Sequence, residues 1–263
     1  MNTRASVSAL AARQVVAVAR RVLLESIRQR RSLIFWTAFP VLMLLLFGMM
    51  YQNNPTMRVA FNTTPAGILI GAALFFSCLG GSVSILIAER ERRTLRRLLI
   101  SPLQPASYFL GIVLALFVVA IYQTVIVYVL AYAMGARYQG SVLLGAAIVV
   151  LSAFAYVGIG FFFGARFAKR SEDANGLVAA FGVPLLVLAG TFFPVSLLPD
   201  YLLKLAYFDP VFHMNEAMKA VSGYGKGWVE LSGNLIFLAV FAFVALAIGI
   251  WSYRRMLIEE KRS

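Results

Sequence analysis

LLISPLQPASYFLGIVLALFVVAIYQTVIVYVLAYAMGA, Leu98 to Ala136, contains no Asp, Glu, Lys or Arg. It is one of six such stretches; the others are Ser32–Met57, Val59–Ala88, Tyr138–Ala165, Ala174–Pro199 and Leu231–Tyr253. Each holds a run of about 18 or more mostly apolar residues, enough for an α-helix rising about 1.5 Å per residue to cross roughly 30 Å of hydrocarbon. A chain that is 61% hydrophobic, with mean hydropathy +0.82, cannot hide six such runs in one water-soluble core. The sequence predicts an all-α polytopic membrane protein with six transmembrane helices. Its function then lies in transport, signalling or intramembrane chemistry.

Charge gives the orientation. Of 24 Lys and Arg, seven precede the first span (Arg4, Arg13, Arg20, Arg21, Arg28, Arg30, Arg31) and five follow the second (Arg90, Arg92, Arg93, Arg96, Arg97). Arg166, Lys169 and Arg170 follow the fourth span, and Arg254, Arg255, Lys261 and Arg262 follow the sixth. The alternate segments carry only Arg58, Arg137, Lys204, Lys219 and Lys226. Cytoplasmic loops hold the Lys/Arg excess, so both termini are expected inside. The net charge of +13 could otherwise mean nucleic-acid binding. The loop pattern explains it without any nucleic acid.

The Arg-rich N-terminus has something of a mitochondrial presequence. A better reading is a helix over residues 8–31 lying in the membrane surface. Ala11, Val15, Val18 and Val22 share one face, with Arg13, Arg20, Arg28 and Arg31 on the other, at lipid headgroups. Val16 and Leu24 stray from the apolar face.

The first span is read at about 33–50 and is followed by a short outer loop, about 51–65. The second, about 66–88, is rich in small residues, including a G-x-x-x-G at Gly67 and Gly71; a second such motif stands at Gly160 and Gly164. Packing within one subunit is the first reading of both and a dimer seam the second. Gln123 and Thr124 fall near the middle of the third span and are read as bonding a neighbouring helix or backbone. Cys78 is the only cysteine and His213 the only histidine, which excludes an intrachain disulfide and paired histidine ligands. Residues 194–230 form the longest break. Apolar residues at helical spacing and the turn at Asp209–Pro210 predict two short amphipathic helices dipping into the outer leaflet. The whole chain, 1–263, reads as one domain.

The loop ERERRTLRRLLISPL, Glu89 to Leu103, is more than a stop signal. Leu95, Leu98 and Leu99 lie at helical spacing, with Arg92, Arg93, Arg96 and Arg97 around them. Spacing alone allows a headgroup-binding loop or a short helix docking in a groove on a cytoplasmic protein.

This loop resembles the E-x-E-x-G-T-x-E-x-L-x-x-[ST]-P coupling segment of the ABC-2 family of ABC exporter permeases. The short-looped group of that family includes drug, nodulation-factor and polysaccharide exporters. GTFFPVSLLPDYLLKLAYFDPVFHMNEAMKA, Gly190 to Ala220, is similar to the family's G-x-x-F-P-x-x-x-L-P stretch with its short helix, N-P turn and E-A helix. The chain departs from the pattern at Arg93 for Gly, Arg96 for Glu and Asp209 for Asn.

The resemblance implies a transport subunit, not an enzyme. Two permeases, identical or homologous, would associate with two ATP-binding subunits that carry ATP and Mg; no cofactor is expected on this chain. GYGKGW at Gly223–Trp228 lacks the phosphate-loop spacing. The implied coupling residues are Glu89, Arg90, Glu91, Arg92, Thr94, Leu95, Arg96, Leu98, Leu99 and Pro102. A second cytoplasmic contact falls on Arg166, Lys169, Arg170, Glu172 and Asp173. The outer gate falls on Gly190, Phe192, Phe193, Pro194 and Pro199. The implied setting is a bacterial inner membrane, and the cargo a lipid, drug-like molecule or lipid-linked glycan moved outward. A gradient-driven carrier is the main alternative. It usually carries ionisable residues within its spans, and the six charge-free stretches argue against it. An intramembrane enzyme would need polar catalytic groups at depth, and the candidates are few: Ser77, Ser82, Ser84 and Gln123.

Overall fold

The computed structural model describes residues 3–52, 57–92, 103–167 and 171–262. The elements are helices α1 (Thr3–Arg28), α2 (Arg30–Gln52), α3 (Arg58–Glu91), α4 (Pro105–Ala133), α5 (Val142–Arg166), α6 (Ser171–Leu188), α7 (Asp200–Ala206), α8 (Pro210–Tyr224) and α9 (Ser232–Arg262). Among the described residues, five helices are long and apolar enough to cross a membrane: Leu33–Gln52, Arg58–Glu91, Pro105–Ala133, Val142–Arg166 and Ser232–Glu259. The sixth expected span is α6, of 18 residues, whose apolar part is Val178–Leu188. At about 1.5 Å per residue α6 is about 27 Å long.

α3 is the hub and the most buried of the spanning helices. It begins at Arg58, so the outer loop expected up to Pro65 is shorter than predicted. Asn62, Thr63 and Thr64 made that stretch look like a loop. In the fold the Thr63 hydroxyl donates to Val59 O at 3.0 Å and the Thr64 hydroxyl to Ala60 O at 2.7 Å, within the helix. The middle of α3, Ile68–Gly80, is wound as a π-helix.

Both G-x-x-x-G motifs pack within the chain. A Cβ on Gly67 would fall 2.4 Å from Thr191 O, and one on Gly71 would fall 2.2 Å from Thr191 Cγ2. Gly160 meets Ser82 and Leu79, and Gly164 meets Leu86 and Val83, all on α3. Gly158 and Gly249 let α5 and α9 touch backbone to backbone. Such close approach is how membrane helices gain packing energy without a hydrophobic driving force.

Several polar donors at depth are satisfied locally. Ser77 and Ser82 donate to Ala73 O and Cys78 O, both at 2.7 Å. Thr124 bonds Ala120 O of its own helix at 2.8 Å. Gln123 donates to Trp36 O at 2.7 Å and so ties α4 to α2. These serines are helix-bonded and buried.

α7 and α8 are the two short helices expected between the last two spans. α7 is mostly exposed, but α8 is packed inside the bundle. Its C-terminal end sits against the α4–α5 turn, where Val221 O approaches Gly140 and Ser222 O accepts from Gln139 N–H at 2.9 Å. Its start, Asp209, shares a cavity with Phe75 and Tyr156, near the middles of α3 and α5. α8 is therefore a re-entrant half-span.

Candidate functional site

One end of the bundle gathers the charges. Glu89, in the last turn of α3, is only 5% exposed. Arg21 of α1 donates to its Oε1 at 2.7 Å. Arg21 also lies 3.9 Å from Glu25, one helical turn on, and Glu25 pairs with Arg92. Arg90 donates to Ala165 O of α5 at 3.0 Å. The stacked rings of Tyr108 and Tyr253, 6.3 Å apart, stand beside the Glu89 carboxylate. Glu89 thus joins α1 and α3 where α4 and α9 also meet.

α1 reaches this cluster by packing as well as by charge. Val18, Ala19 and Val22 are buried, while Val16 and Leu24 are exposed, as their off-face positions predict. A Cβ on Gly111 of α4 would fall 2.5 Å from Val18 Cβ. The helix expected at the membrane surface is therefore seated on α4 by its apolar face. Arg13, Arg20 and Arg28 remain exposed on the other face.

Of the expected coupling residues, Glu89, Arg90, Glu91 and Arg92 are brought to this end. Thr94, Leu95, Arg96, Leu98, Leu99 and Pro102 lie outside the described residues. At the expected second contact, Lys169 and Arg170 also lie outside them, as do the side chains of Glu172 and Asp173. Arg166 is described and turns to α9. It lies 4.0 Å from Glu259 and 5.0 Å from the Trp251 ring, which Arg255 covers at 4.4 Å.

At the opposite end, α6 stops in a tight turn. Gly190 has φ +60°, with Gly190 N–H donating to Val187 O and Thr191 N–H to Leu186 O. That is the left-handed Schellman cap that favours glycine. Phe192 stacks on Phe47 of α2 at 5.9 Å. Gly190, Phe192, Phe193 and Pro194 line a cavity of about 270 Å³ with Glu216 and Lys219 of α8. Pro199 lies apart, before α7. Two polar residues that the sequence reading passed over hold the turn. Asn215 donates to Ala189 O at 3.1 Å and to Thr191 Oγ1 at 3.0 Å, and Lys219 donates to Gly190 O at 2.8 Å. Glu216 lies 3.3 Å from the Lys219 ammonium, one turn back on α8. The signal for this pair was their four-residue spacing on one face of α8.

A re-entrant helix between the last two spans, a buried anchor below the second, and an N-terminal helix joined to it form one arrangement. The sequence profile of the ABC-2 type transporter family matches residues 13–222, most of the chain. The chain belongs to the ABC-2 type transporter family. It is thus a multi-pass membrane permease and the transport subunit of an ABC transporter, a family whose permeases normally pair with an ATP-binding subunit. The comparison with curated proteins returns no match. Within this permease, the Glu89 cluster and the Gly190 turn lie at opposite ends of α3 and α6.

Proposed function

We propose that this permease exports an amphiphilic cargo from the cytoplasm, driven by ATP on separate subunits. Two copies, or one with a homologue, would assemble with two ATP-binding subunits that hold ATP and Mg. The Lys/Arg distribution supports both termini being cytoplasmic with the Glu89 end inside, and the family resemblance implies a bacterial inner membrane as the setting. The largely apolar spans favour a lipid, a drug-like molecule or a lipid-linked glycan.

The observation that carries the coupling role is the Arg21–Glu89 pair. It ties the N-terminal helix to the start of the 89–103 segment, so a push on that segment moves α1 and α3 together. Charge-assisted hydrogen bonds of this kind are short and directional. Arg166, committed to α9, serves as a brace between helices more than as a docking side chain. The Gly190–Pro194 turn, held by Asn215 and Lys219, forms the outer gate.

The test is a mild-detergent pull-down of the tagged chain from its native membrane, followed by mass spectrometry. The expected result is recovery of a Walker-motif ATPase, lost when 93–102 is scrambled without loss of folding. Recovery of the intact chain alone, under conditions that preserve a known ABC complex, would refute the reading.

A further inference from the structure

The outward flank of α4 and α5 carries a groove open to lipid. Val125 and Val129 of α4 and Val142 of α5 line it, and all three are more than half exposed. Its volume is about 480 Å³, and the buried Pro65 of α3 and Met218 of α8 close it from behind. Along α4 it runs from Thr124 to Ala131, about 10 Å of helix. Its walls are almost wholly apolar, and its size falls in the range that encloses one small apolar guest.

One end of the groove carries a charge. Tyr108, in the first turn of α4, stands beside Glu89, so the last turn of α4 lies at the opposite end of the bundle. There Arg137, in the turn to α5, lines the groove and is exposed. Its backbone N–H donates to Asn62 Oδ1 at 3.2 Å, which fixes the turn against α3. Among the described residues no carboxylate forms an ion pair with its guanidinium. No Asp or Glu lines the groove, and Arg137 is its one charged residue. Tyr132, exposed, and Tyr138, whose hydroxyl donates to Ser141 O at 3.2 Å, line the same end. Tyrosines beside a cation at the mouth of an apolar slot mark the level of lipid headgroups.

We infer that the groove holds one acyl chain of an anionic phospholipid whose phosphate sits on Arg137. The guanidinium stays outside the slot, at the interface, and presents N–H donors in a planar fork that matches phosphate oxygens. The chain covers the apolar walls below it. Charge selects the lipid. A zwitterionic headgroup brings an ammonium as well, and the groove offers that ammonium no carboxylate. The lipid is a resident of the α4–α5 flank and not a cargo, so the inference stands apart from the export reading.

The test is site-directed quenching of the full chain in phosphatidylcholine nanodiscs. Leu143→Cys, at an exposed position one turn from Ala146 of the groove, carries a bimane dye; the native Cys78 is fully buried and stays unlabelled. Ile236→Cys, at an exposed position near the start of α9, carries the same dye as the reference. The probes are phosphatidylglycerol and phosphatidylcholine with the same spin-labelled chain, each at the same low mole fraction. Phosphatidylglycerol is expected to quench at least fivefold more strongly than phosphatidylcholine at position 143, and within twofold of it at position 236. Arg137→Gln should bring the ratio at 143 within twofold, while Arg58→Gln, which removes another exposed arginine from the same end, should leave it unchanged. Ala146→Trp, which fills the slot, should also abolish the preference; Val129→Trp replaces it if that variant does not fold. Equal quenching by the two lipids at 143, an equal preference at 236, or a preference that Arg58→Gln lowers as much as Arg137→Gln overturns the inference. So does a preference that survives either Arg137→Gln or the filled slot. No ATPase is needed, so failure here leaves the ATP-driven reading standing, and failure of that reading leaves this result standing.

Discussion

The Arg21–Glu89 pair predicts an asymmetry between two single substitutions. The charges are 2.7 Å apart. At an effective dielectric of about 20, unit charges at that distance attract by about 6 kcal/mol. That is a ceiling, because the Arg21 side chain is 41% exposed and water screens it, while the Glu89 side chain is 6% exposed. We expect a coupling energy of about 1–2 kcal/mol in a double-mutant cycle of Arg21→Gln and Glu89→Gln. Arg21→Gln should cost more than Glu89→Gln. The first strands a buried carboxylate beside Tyr108 and Tyr253; the second leaves a half-exposed guanidinium that water can solvate. The assay is reversible unfolding of the purified chain in mild detergent, followed by tryptophan fluorescence, with Trp36 close to this end of α3. Additivity within about 0.3 kcal/mol, or a larger loss for Glu89→Gln, would refute the assignment of this pair as the anchor of α1.

Three further outcomes follow from the packing. Gly158→Ala places a Cβ 2.4 Å from the Ala245 carbonyl carbon and should destabilise by about 1–3 kcal/mol. Gly176→Ala, with nothing within 4 Å, should be neutral or gain up to about 1 kcal/mol; thermal midpoints of the two separate close packing from helix propensity. Gly190→Ala should cost more than Gly225→Ala in the same assay. Both glycines have positive φ, worth about 1–2 kcal/mol, but at Gly190 the new Cβ falls 2.3 Å from Val195 Cγ1, while at Gly225 it meets Gln139 at an ordinary 3.5 Å. Gln123→Leu removes the bond to Trp36 O and should lower stability by about 0.6–1.7 kcal/mol, read as a shift in the unfolding midpoint with the wild-type oligomeric state retained.

The spans were legible because bilayer solvent imposes a crude rule, long runs without charge, and α2, α4, α5 and α9 obey it. α1 was legible by periodicity, down to the exposure of Val16 and Leu24. The start of α3 was not. Asn62, Thr63 and Thr64 signal a loop when judged by polarity, but hydroxyls bonded to their own helix and Asn62 accepting from Arg137 N–H at 3.2 Å hide that polarity. α8 was misplaced in depth for the same reason. Asn215 and Lys219 are polar, yet they spend donors on Ala189 O, Thr191 Oγ1 and Gly190 O at the end of α6, a tertiary partner that no local pattern announces. Glu89 was singled out by its loop motif, while Arg21, sixty-eight positions away, was read only as one of the seven basic residues before the first span.

Among the five long helices α2 is the least buried, with Leu42, Leu46, Met49 and Met50 all more than half exposed. Its sequence is therefore under little instruction from its own chain. If only acyl chains touch that flank, any apolar residue serves at those four positions and drift should scramble them freely. If a sister permease reads the flank, size and shape there are held in step with residues on another polypeptide. A contact with a sister permease would leave its mark in α2 more than in the crowded glycines of α3.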